Sequence, residues 1–409
     1  MTKERTMNNT FELVATLGIG KKSEKFNPYE DKVFDSGWVN RTLKFNAIAG
    51  NNRHMLEVKG GHWKDGHGDV YSFRKNYTDT DGNQVKGENI KIPWADRLKP
   101  ESIAQVAEFK KFVVDLEKPK RRAEITEIVD KFKDGSITTE EMESTGFDSV
   151  ETAEKALEDS NKKRHEFISE YDFAEYLHKL VCSDKTKNVK FRIRGNIEIS
   201  EYQGKFYTHF IPTRIYRADE SEIVKSEGSI CVYYNKDGFD DGSLKEKGRY
   251  YISAYLFSYD SQRKAKIPCP VTLSIPATGD EKILKLAELF KKNFTINKKD
   301  GDMWKELGVR INMLDGAQIE EITEDMLSEN EQDLLTIGEI TMEDIIRDRG
   351  GKVYGDRVQE WVVDGFAKGC LSGAKTTTYA DDDFVIKDAA AELEAETADI
   401  FEDEDDIDI

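Results

Sequence analysis

The chain has only four cysteines in 409 residues, Cys182, Cys231, Cys269 and Cys370, with no CxxC pair and no regular spacing. That scatter argues against a disulfide framework or a zinc ribbon and suits a reducing compartment. Long apolar runs are missing too: no stretch approaches the roughly 18 uninterrupted apolar residues of a membrane span. The opening MTKERTMNNTFELVATLGIG carries charge without the apolar run of a signal peptide. The expectation is a cytoplasmic protein that does not engage a membrane.

Catalytic signatures are equally scarce. There is no Gly-x-Ser-x-Gly elbow, no HExxH and no Gly-x4-Gly-Lys-Ser/Thr phosphate loop. Paired carboxylates such as Glu140-Glu141 lie in charged helical text with no apolar pocket around them. His178 and Cys182 stand four apart, and His62 and His67 share a loop, but two ligands without a partner set do not make a zinc site. The Asp/Gly-rich loop Asn235–Ser243 lacks the alternating oxygen ligands of a calcium loop. No enzyme, metal or cofactor is expected.

The formal charge of −19 argues against a nucleic-acid partner, but it is unevenly placed. Residues 381–409 hold 14 acids against one lysine, whereas residues 1–100 hold 17 Lys+Arg against 13 Asp+Glu, and residues 189–270 hold 14 against 11. Binding responds to the local field, so the two mildly basic stretches matter more than the total. Dense like charge with few apolar groups predicts a disordered tail over 381–409. Its tip alternates acid with isoleucine in Asp405-Asp406-Ile407-Asp408-Ile409, which suits docking to a basic, apolar pocket on a partner.

Period and punctuation divide the rest. Residues 8–98 read as a β-rich module, with short apolar runs between Gly- and Asn-rich turns. Residues 101–183 read as a helical insert, highly charged between 120 and 160. At 188–276 the period returns to two, giving a second β module. Residues 281–375 read as a mixed helical segment opened by an amphipathic helix.

The second β module carries the strongest constellation. Arg192 and Arg194 oppose the apolar face Phe191, Ile193, Ile197 and Ile199, and the returning strand sets Lys205, Phe206, Tyr207, Arg214 and Tyr216 together. Arg249, Tyr251 and Tyr255 share one parity of the strand that follows. A face of cations and flat rings is what single-stranded nucleic acid requires, because cations track phosphates while rings stack on unpaired bases with little sequence preference. The first module repeats the pattern more weakly. Trp38, Arg41 and Lys44 come first, then Arg53, then a Gly-rich loop bearing Trp63 and Lys64 that is placed to clasp a strand.

These features resemble the phage-type single-stranded-DNA-binding proteins. The likeness rests on Arg192-Ile193-Arg194-Gly195-Asn196-Ile197, Tyr202-Gln203-Gly204-Lys205-Phe206-Tyr207 and the terminal Asp405-Asp406-Ile407-Asp408-Ile409. It implies an α+β chain of one or two OB-like (oligonucleotide-binding) β-barrels with helical insertions and a disordered acidic C-terminal tail. It further implies coating of single-stranded DNA during bacteriophage replication, recombination or repair in the bacterial cytoplasm. The tail would recruit a helicase, polymerase or recombinase and compete with DNA. Two features depart from the family: the tail lacks the proline-phenylalanine ending of bacterial members, and the insert 101–183 has no place in a minimal barrel. The alternatives are a protein-interaction module without DNA, and a DNA mimic that occupies a basic protein.

Overall fold

The computed structural model describes residues 8–78, 82–261, 263–296, 303–320, 327–348 and 353–386. It is sheet-rich with helices added, and its ten long strands form two rings of hydrogen-bonded partners.

The first ring uses β1 (Thr10–Gly18), β2 (Trp38–Ala49) and β3 (Asn52–Trp63). The insert follows, with α1 (Arg121–Asp134), α2 (Thr139–Thr145), α3 (Val150–Asn161) and α4 (Glu170–Val181). The hairpin β4 (Lys190–Tyr202) and β5 (Lys205–Arg217) completes the ring. Antiparallel pairing runs β2–β3, β4–β5 and β1–β4, and the far end of β1 pairs with β2. A parallel contact between β3 and β5, at Phe210↔Leu56, closes the circuit.

Strict alternation makes β4. Phe191, Ile193, Ile197 and Ile199 are buried, and the residues between them face out. The register slips by one residue after Arg194, where a Cβ on Gly195 would lie 2.0 Å from the Ile211 carbonyl oxygen. The close crossing of the two strands therefore excludes any side chain there. Helix α4 starts where the Ser169 hydroxyl accepts from the Tyr171 N–H at 3.2 Å. Its Phe173, Ala174, Leu177 and Leu180, at helical spacing, are buried in the ring's core.

The second ring has the same connectivity. It uses β6 (Lys225–Tyr234), β7 (Arg249–Asp260), β8 (Ala265–Pro276), α5 (Glu281–Phe294), β9 (Lys305–Glu320) and β10 (Val353–Phe366). Pairing runs β6–β7, β7–β8 and β9–β10 antiparallel, β9 returns to β6, and β8–β10 is parallel at Leu273↔Trp361. The rings join where β1 runs antiparallel to β6 from Thr10↔Ser229 to Val14↔Lys225. Their interiors form one continuous apolar core.

The hydrogen bonds group the strands differently from the sequence reading. Strands of the 8–98 stretch close with β4 and β5, whereas the remaining strands of 188–276 close with β9 and β10. The 281–375 segment supplies those two long strands rather than chiefly helices. Leu307, Val309, Ile311 and Met313 are all buried at period two. The insert contains a short antiparallel strand pair, Phe112–Asp115 with Arg164–Phe167, besides its helices. Helices α1 and α3 enclose a small separate core of Ile125, Ile128, Val129, Phe147 and Ala153.

The expected disordered tail begins as ordered structure. Asp381–Phe384 is a 3-10 turn with Phe384 buried. The remainder of the tail, including Asp405–Ile409, lies outside the described residues. No helix among the described residues is long and apolar enough to cross a membrane.

Phe173 is fully buried, against Phe112 and Phe167. Replacing it with alanine should lower stability by roughly 3–5 kcal/mol, the usual cost of emptying a phenylalanine site. Chemical denaturation measures it, and a loss below about 1 kcal/mol would contradict this account of the core.

Candidate nucleic-acid interface

The arginines of the strongest sequence constellation point outward as their parity requires, but each meets a protein acceptor. Arg192 pairs with Glu222 at 2.7 Å, Arg194 with Glu12, and Arg249 with Glu360. Arg214 donates to the Glu108 carbonyl at 2.8 Å. Arg41 is buried and held by Asp31 at 2.7 Å and Glu175 at 3.0 Å, with its guanidinium 3.7 Å from the Tyr171 ring centre. It works as a clamp between β2 and α4. Phe206 packs against the core, while Lys205 and Tyr207 are exposed beside the hairpin tip. Tyr216 is half-buried, and Tyr251 lies beneath Lys247 at 5.2 Å. Arg53 is exposed at the β2–β3 turn, away from these.

Tyr255 belongs to an aromatic face of the second ring that the chain itself covers. Phe384 stacks on Trp304 with ring centres 3.5 Å apart and planes 15° from parallel. It also lies 5.2 Å from Tyr255 and 5.5 Å from Phe257. The Trp304 indole N–H donates to Asp381 at 2.7 Å, and Tyr379 completes the cover.

The first ring is open on a different part of its circuit, over β3, β4 and β5 rather than over the β1–β2 pair that matches β6–β7. A groove of about 760 Å³ runs over the outer side of β3, β4 and β5, walled by the loop after β3 and by the start of the insert. Trp38 and Trp63 meet edge to face at 5.4 Å, and His67 stacks on Trp63 at 5.0 Å. Gly61 is required here, because a Cβ would fall 2.5 Å from the Trp38 ring. Across the groove stand Tyr71, on a short hairpin with Lys91, and Phe109 at the insert. These two rings are 73% and 67% exposed, far more than any ring of the covered face.

Cations border the groove. Lys64 and Lys110 are exposed and form no ion pair among the described residues, and Lys59 keeps its side chain half-exposed. Glu57 lies beneath them, with Lys59 at 2.9 Å, His209 at 3.2 Å and Lys44 at 3.5 Å. Burial alone would push its carboxyl up, but hydrogen bonds from His209 and Lys59, with the charges of Lys59 and Lys44, hold it at about 2. Glu170 and Glu198 also line the groove. Among the described residues no group of three or more His, Cys, Asp or Glu is arranged to hold a metal ion.

Of the weaker sequence constellation, the structure brings Trp38 and Trp63 together at the groove, with Lys44 reaching Glu57 beneath it and Lys64 following Trp63 in the chain. It disperses the arginines of the stronger one. Sequence reasoning did not single out His67, Trp94, Phe109 or Lys110 as site residues. Their only signal was an excess of rings and lysines in connecting text without period.

No known protein family and no curated protein sequence matches the chain. Among solved structures it aligns with a deletion variant of the single-stranded DNA binding protein from Thermus aquaticus. That alignment has 10% identity and a TM-score of 0.26, and covers 80% of this chain and 98% of the other. The wild-type form of that protein aligns at 9% identity and a TM-score of 0.26, covering 78% and 95%. Scores this low do not establish a shared fold.

The depressed Glu57 value gives a pH test. Its folded value lies below the ordinary carboxylate value of 4.5, so its contribution to stability is complete above that pH. The contribution is lost as pH falls toward about 2. Thermal melts should show wild type losing stability over that window and Glu57→Gln losing less. Parallel curves for the two would contradict the assignment.

Proposed function

We propose that the chain binds single-stranded DNA through the first-ring groove, without catalysis, and that its two rings act as OB-like barrels of unequal availability. The observation that supports this is the pairing of two largely exposed rings, Tyr71 and Phe109, with Lys59 and the unpaired Lys110 along one groove, beside the exposed Lys64. Exposed rings cost hydration in the free protein and are satisfied by stacking on bases. Lys59, Lys64 and Lys110 follow the phosphates. The order β1-β2-β3-α4-β4-β5, with its parallel closure, suits an oligonucleotide-binding barrel, and β6–β10 with α5 repeat it.

On this reading, Asp381–Phe384 acts as a competitor in cis. Its phenyl ring takes the position of a base on Trp304, and its carboxylates take the positions of phosphates. The tip Asp405–Ile409 is proposed to dock replication or recombination proteins of a phage-infected cell.

Fluorescence anisotropy with labelled oligo-dT tests the reading. Tyr71→Ala and Phe109→Ala should each weaken binding by roughly 1–3 kcal/mol. Three lysine–phosphate contacts at about 0.7 each predict a log–log salt slope near −2 for a short oligonucleotide. Phe384→Ala should strengthen binding by opening the second ring. No binding at low salt by either wild type or Phe384→Ala would overturn the proposal.

A further inference from the structure

A second opening, of about 980 Å³, lies between the insert and the first ring. Its ring wall is formed by Arg192, Tyr216 and Arg217 on β4 and β5, and its insert wall by Lys118, Lys120 and the flank of α1. We infer that this cavity binds the phosphodiester backbone of a single strand continuing out of the groove, so that the insert extends the binding path. The inference rests on the groove reading given above.

Charge placement supports an anion at one end of the cavity. Lys118, Lys120 and Arg217 form no ion pair among the described residues, although all three line it. The carboxylates beside them are already engaged: Asp115 by Arg122, Glu117 by Lys163 and Glu222 by Arg192. The Nε–H groups of Arg122 and Arg192 are nevertheless buried without an acceptor. An orphaned buried donor is unfavourable, and an incoming phosphate oxygen, reached directly or through water, would satisfy it. Of the remaining acids, Glu127 pairs with Lys131 at 2.8 Å, and Asp130 and Asp134 line the cavity 8 and 12 residues farther along α1 than Arg122. At 1.5 Å per residue they stand about 12 and 18 Å from the cationic end. They limit the path rather than oppose it.

Continuity is set by two strands. Phe112–Asp115 runs parallel to β5, pairing Arg214↔Val113 and Tyr216↔Asp115. Phe112 and Thr213 line the groove, whereas Asp115 and Tyr216 line the cavity. Three residues of strand separate the two sites, about 10 Å. Tyr216 offers a flat ring for a base at the entrance.

The test compares oligo-dT of about 5 nucleotides, enough for the groove, with oligo-dT of about 12, which reaches the cavity. Lys120→Ala/Arg217→Ala in the full chain should weaken the longer oligonucleotide about tenfold. It should also reduce that oligonucleotide's salt slope by about 1.4, at about 0.7 per contact. The short oligonucleotide should be unaffected. Lys118→Glu, a separate surface change, should act in the same direction. Equal weakening of both lengths, or an unchanged longer complex, would overturn the inference and leave the groove reading standing. Failure of wild type to bind either length would overturn both.

Discussion

One nine-residue strand holds the molecule together. β1 pairs with β4 along one edge, and along the other with β6 and then with β2. Its Phe11, Leu13, Ala15 and Leu17 face the merged core, while Glu12 on its outer side accepts both Arg194 of the first ring and Lys225 of the second. Burial would raise the Glu12 carboxyl, but hydrogen bonds from Lys225 and Arg194 bring it below the usual value. Arg194, which the sequence offers for a phosphate, thus serves instead at the seam between the rings.

That seam places two ring-bearing faces on one body, and their treatment differs. A cluster of outward rings needs either a ligand or a cover. The second ring's cluster is covered by the segment that follows β10, ending in the Phe384–Trp304 stack. The first ring's face has no such segment among the described residues, and the insert and the loop after β3 border it instead. The result is one covered aromatic face, over β6 and β7, and one open groove, over β3, β4 and β5.

Legibility varied with how local the controlling interaction is. The β4–β5 hairpin was readable because alternation and a two-residue turn encode it within 28 residues. Ring closure was not, since it depends on the parallel contacts Phe210↔Leu56 and Leu273↔Trp361. The alternation of β9 was present in Leu307, Val309, Ile311 and Met313, but charged helical text around it obscured the period, and Trp361-Val362-Val363 in β10 breaks alternation outright. At the site, parity correctly turned Arg192, Arg194 and Arg249 outward. Their acceptors lie 30, 182 and 111 residues away, beyond any local pattern. Phe109 and Lys110 escaped notice because only the fold carries the insert back to β3.

Ultraviolet cross-linking of oligo-dT to the full chain, with the attached peptides mapped, tests the central claim most directly. The account predicts adducts concentrated on the rings of the first-ring groove, Trp38, Trp63, Tyr71 and Phe109. Adducts at Tyr255, Phe257 and Trp304 should emerge only when Phe384 is replaced. Adducts on that second-ring face in the unaltered chain, with none in the groove, would contradict it.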